Sequence, residues 1–278
     1  MTEHVTARQV LASVLRHEGA DLAAHEIIRH AHDEAEGMER LSAEYLTLAS
    51  LAQAERFDAL LVRSGLGSDE LARLRASEAK GPLFAAFRDA EARGLDIDAA
   101  LPRLVAGKSL ADADDIAAVL HHRLERWTNA AAGRQKRPQN LIAGLIPRAK
   151  GVTDPELATA LAERDRAMES RAQALAARAV ENAHVWVGAL GAPPGDPTRR
   201  ERWLREVSTV AAYRDRWHVA NARPLGAPAD VSSIEHQTQR RRAQAALRRA
   251  KALGLAGMAD ADSPVVEVEV PLLSGVER

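Results

Sequence analysis

Four groupings of residues in this chain have the types that catalysis or binding requires. Gly107-Lys108-Ser109 matches the end of a phosphate-binding loop, in which backbone amides cradle phosphates and a lysine reaches the terminal ones. That pattern needs a glycine where Pro102 stands, and no buried-strand pattern precedes it, so nucleotide binding is not expected. His25, His30 and His32, with Asp33, Glu34 and Glu36, offer metal-ligand chemistry. On a helix, however, His30 and His32 point about 200° apart, and His121-His122 diverge in the same way, so solvated histidines are expected and no metal. The third grouping is nucleophilic and sparse. There is no G-x-S-x-G elbow, and Tyr45 and Tyr213, the two tyrosines, fall among core-spaced residues. No catalytic residue and no cofactor is expected.

The fourth grouping is positive charge. The net charge is −1, but residues 1–118 carry 13 Lys and Arg against 21 Asp and Glu, while 119–278 carry 25 against 18. Between 119 and 251 the balance is 24 against 13. One stretch holds Arg240, Arg241, Arg242, Arg248, Arg249 and Lys251, and an upstream loop holds Arg134, Lys136 and Arg137. On a helix Arg241, Arg248 and Lys251 share a broad stripe, and the other arginines widen it around the cylinder. Arginine's planar fork suits phosphate, and each neutralised phosphate releases counterions, so these nine residues are the expected DNA contacts, weakly sequence-specific. The competing reading is a protein-interaction scaffold in which the acidic front docks a partner and DNA plays no part.

These side chains must be placed by helices. The chain has 278 residues, 46% hydrophobic and 3% aromatic, with alanine dominant. Ala, Leu, Arg and Glu order into helix at little side-chain entropy cost. Helices are expected over 6–17, from Asp21 to Gly37, and over 38–64. Further helices are expected at 69–78, 82–93 and 97–105, then from an Asp112 cap through Trp127, then over 154–183, 199–222 and 233–253. In the 199–222 helix Trp203, Val207, Val210 and Trp217 make one apolar face, with Tyr213 a turn before Trp217. Its opposite face, including Arg199, Arg200, Arg205, Asp215 and Arg216, reads as solvated. The fold expected is all-α with two helical subdomains: an acidic bundle over 1–132, a basic loop and linker over 133–152, and a basic subdomain over 153–253. A mobile tail follows over 254–278, where PVVEVEVPLL is the one strand-like run. There is no cysteine, no run of ~20 apolar residues and no signal-peptide pattern at the start, which points to the cytoplasm.

The segments DDIAAVLHHRLERW at 114–127, LIAGLIPRA at 141–149, ALAERDRAMESRAQALAARAVE at 160–181 and WLREVSTVAAYRDRW at 203–217 carry a family likeness. TARQVLASVLRHEGADLAAHE and DEAEGMERLSAEY extend it toward the start. Together they resemble the C-terminal region of MobF-class (TrwC-like) conjugative relaxases of high-GC Gram-positive bacteria, over most of residues 6–252. In that family a tyrosine nucleophile and a three-histidine metal site nick plasmid DNA, and a helicase part hydrolyses ATP. Neither set of motifs occurs here. The resemblance implies a non-catalytic accessory part in plasmid transfer, contacting DNA or conjugation coupling and secretion proteins, with no membrane contact.

Overall fold

The computed structural model describes residues 37–132, 140–228, 231 and 233–261, and among them lie nine α-helices and one short hairpin. In chain order these are α1 (Met38–Val62), α2 (Ser68–Ala76), α3 (Lys80–Ala92), α4 (Ile97–Ala106) and α5 (Ile116–Ala132). Strands β1 (Leu141–Ile142) and β2 (Ile146–Pro147) follow, then α6 (Pro155–Glu181), α7 (Val185–Gly188), α8 (Pro197–Arg216) and α9 (Ile234–Ala261). The all-helical expectation is met. The helices expected before residue 37, the histidines at 25, 30 and 32, and the strand-like run at 264–273 lie outside the described residues.

Local chemistry sets the helix starts. Asp154 accepts from Glu156 N and Leu157 N at 2.8 and 3.0 Å, and Asp196 from Arg199 N at 2.7 Å, each followed by proline in the first turn. Ser233 caps α9 through His236 N. The cap of α5 is Asp115 rather than Asp112, because its carboxylate takes Ala118 N at 3.1 Å while also holding the Ser77 hydroxyl. Helix ends follow tertiary demands more closely. α8 was expected to reach residue 222 but stops at Arg216: His218 enters the left-handed region at φ 49° and Val219 N donates to Arg214 O, a Schellman closure.

The apolar side chains form two cores. Phe57, Leu60 and Leu61 of α1 pack with α2–α5, where the rings of Phe57, Phe84 and Phe87 meet at 5.3–5.9 Å. Met38, Tyr45 and Ala49, from the other half of α1, pack with the hairpin and α6–α9. α1 thus belongs to both, although the sequence assigned it wholly to the first bundle. At 25 residues it is about 37 Å long, more than one small core spans.

The hairpin is a further departure from expectation. Residues 133–152 were read as a linker, with strand confined to the tail, yet Ile142, Leu145 and Ile146 are fully buried. Ala143 and Gly144 both take positive φ at its turn, and Leu145 N closes on Ile142 O at 2.9 Å. The tip is held from two sides. Glu169 of α6 accepts from Ala143 N, and Thr209 of α8 occupies the space where a side chain at Gly144 would project.

Candidate nucleic-acid interface

The basic cluster is built on α9, which lies along α8 through a stripe of small residues: Ala243, Ala246 and Ala250 are all completely buried. Trp203 and Tyr213 of α8 are likewise inaccessible, as core spacing predicted. Near the start of α9, Tyr213 Oη and His236 Nε2 are 2.9 Å apart, and the His236 ring stacks on Trp217 at 3.9 Å and 2°. The Trp217 indole donates to Gln239, whose amide donates to Glu235, and Glu235 also pairs with the buried Arg216. Arg216 and Asp215 therefore leave the solvated face to which the sequence assigned them. Asp215 takes the Met38 amide at the start of α1 and pairs with Arg171.

The six basic residues of α9 divide into three kinds. Arg240 turns inward and donates to the carbonyls of Leu225, Gly226 and Ala227, anchoring the loop before the helix. The Arg242 side chain is only 10% exposed, donates to Leu145 O at 2.6 Å and pairs with Asp89 of α3; burial pulls its pKa down while Asp89 opposes the shift. Neither is free for a phosphate, which corrects the reading of both as DNA contacts. Arg249 is exposed and makes two 2.8 Å hydrogen bonds to Glu206 of α8. Arg241, Arg248 and Lys251 are exposed. Their only side-chain bond among the described residues is from Arg241 to Thr238. Arg134, Lys136 and Arg137 lie outside the described residues.

On a 100° repeat, Gln237, Arg241, Gln244, Arg248, Lys251 and Leu255 fall within about 40° of one line, and all six are exposed. This outer stripe contains no acid, and Glu235 is the one acidic residue between 234 and 255. Beside it, a groove of about 870 Å³ runs between the hairpin tip, α6, α8 and α9, with Arg202, Arg205 and Arg249 among its lining residues. Arg205 is 68% exposed, with a loose 3.8 Å contact to Glu201. Arg202 escaped the sequence reading. Its signal was present, since it stands three residues before Arg205 on the polar side of the tryptophan helix.

The glycine-lysine-serine and tyrosine groupings have structural roles. Gly107 ends α4, and Arg123 donates to Leu104 O, Val105 O and Lys108 O, placing a guanidinium where a phosphate-binding loop would present amides. Tyr45 is buried and accepts from Ala149 N. Among the described residues no group of three or more His, Cys, Asp or Glu is placed to hold a metal, and no helix is long and apolar enough to cross a membrane.

Fold and surface together define a two-core helical protein with a basic outer helix. Comparison with protein-family models, curated proteins and solved structures finds no match to this chain.

Proposed function

We propose that this chain is a non-catalytic helical accessory part of a conjugative relaxase, acting in the cytoplasm and holding DNA by its phosphates during plasmid transfer. The observation that carries the reading is the acid-free outer stripe of α9, with Arg241, Arg248 and Lys251 exposed to solvent. Arg202 and Arg205 on α8 extend the positive surface across the groove. The family likeness at 203–217 supports the context of transfer, and coupling or secretion proteins are the further partners it implies.

The test is binding of the chain, and of an Arg241→Gln/Arg248→Gln/Lys251→Gln variant, to two unrelated DNA sequences over a range of salt. Loss of affinity by a similar factor for both sequences, with a shallower salt dependence, is the expected result, because phosphate contacts carry no sequence information. Arg242 is left intact because changing it perturbs the fold. Unchanged affinity and salt dependence would transfer the reading to the protein-interaction scaffold.

A further inference from the structure

We infer that the nucleic acid held by α9 is a duplex rather than a single strand, an inference that rests on the phosphate-binding reading above. The first argument comes from the aromatic rings. Proteins that hold single strands without sequence preference stack bases on aromatic side chains, at about 1–3 kcal/mol per base. This chain has four Trp, two Tyr and three Phe, and all nine lie within the described residues. Seven are buried. Of the other two, Trp127 packs against the first core, and Trp217 has one face on His236 with the Arg216 guanidinium 5.4 Å from its ring centre. None lies on the outer face of α9, so an unstacked base has no aromatic platform beside the cations.

The second argument is the form of the charge. Arg241 to Lys251 spans about 15 Å of a helix rising 1.5 Å per residue. Arg240 and Arg242, tied to the 225–227 loop, the hairpin and α3, hold that helix in place. Cations carried on a helix so held suit a regular row of phosphates, and a duplex backbone presents one charge per 3.4 Å of axis on each strand. A flexible single strand would have to be ordered against the row, with no stacking to offset the lost entropy. The duplex also carries the denser counterion atmosphere, so each contact releases more salt, about 0.9 against 0.7 in the slope.

The experiment measures fluorescence anisotropy of one labelled 20-base-pair duplex and of each of its separated strands with the full chain, at several salt concentrations. The duplex is expected to bind at least tenfold more tightly than either strand at equal salt. In the Arg241→Gln/Arg248→Gln/Lys251→Gln variant the duplex slope should flatten by up to about 2.7, at about 0.9 per lost contact, with an unchanged circular dichroism spectrum. Single strands that match or exceed the duplex would overturn this inference and leave phosphate binding standing. Absence of binding to either form would overturn both.

Discussion

Trp203 shows how much one side chain contributes. It is fully buried, and its indole donates to Leu190 O at 3.2 Å, tying α8 to the loop that follows α7. Trp203→Ala should destabilise the chain by about 3–5 kcal/mol, measured by denaturant unfolding, since the change opens a cavity and orphans a carbonyl. A loss under about 1 kcal/mol would contradict the core placement. Asp115 acts through hydrogen bonds instead. Chiefly the Ala118 amide, and then the Ser77 hydroxyl, hold its carboxyl below the usual range. A carboxyl depressed on folding adds stability that is full above its unfolded pKa, near 4, and is lost as pH falls through the folded value. Asp115→Ala should cost about 1 kcal/mol at neutral pH, whereas Asp115→Asn, also a good cap, should retain stability there and flatten the decline below pH 4. Glu44, paired with Arg164 and Arg40, and Asp58, paired with Arg75, are depressed in the same direction and should keep part of that decline in either variant.

At the scale of elements, two glycines show what the hairpin and α9 require. Gly144 has φ 70°, and a Cβ there would lie 2.2 Å from Thr209 Oγ1. Gly144→Ala is therefore expected to cost at least about 1–3 kcal/mol from backbone strain alone, with further loss from the clash. Thermal melting checks this, and the double variant Gly144→Ala/Thr209→Ala should recover the clash but not the strain. Gly254 was read as the start of the tail, yet α9 continues through it to Ala261. A Cβ at Gly254 would sit 2.9 Å from Ala192 O, so this glycine lets the helix approach the 191–192 loop closely.

For the whole molecule, the question is whether two cores make one folding unit. α1 runs through both, and polar links cross between them: Gln53 donates to Lys150 O at 2.7 Å, Lys150 to Glu91 O at 2.8 Å, and Arg242 of α9 reaches Asp89 of α3. Unfolding should accordingly be a single transition. The check is calorimetry of the intact chain, in which the measured unfolding enthalpy should equal the van't Hoff enthalpy; a measured enthalpy well above the van't Hoff value would show independent units. The Arg242–Asp89 pair should respond asymmetrically. Asp89→Asn leaves a buried guanidinium without its carboxylate and should cost about 3–5 kcal/mol. Arg242→Met should cost less, because Asp89 keeps Arg93 at 2.8 Å.

Helix content and the burial of Trp203 and Tyr213 were legible in the sequence, because helical periodicity acts within a few residues of chain. The division of the basic helix was not. Arg240, Arg241 and Arg242 are adjacent and chemically identical, and what turns two of them inward is Leu225 O, Leu145 O and Asp89, 15, 97 and 153 residues away. The hairpin was hidden for the same reason: two strands of two residues carry no periodicity, and their register depends on Glu169 and Thr209 of distant helices. Local sequence determined which segments become helices and roughly where positive charge collects. Tertiary structure alone decided which charges are spent holding the fold and which face water, because burial and pairing are set by groups far apart along the chain.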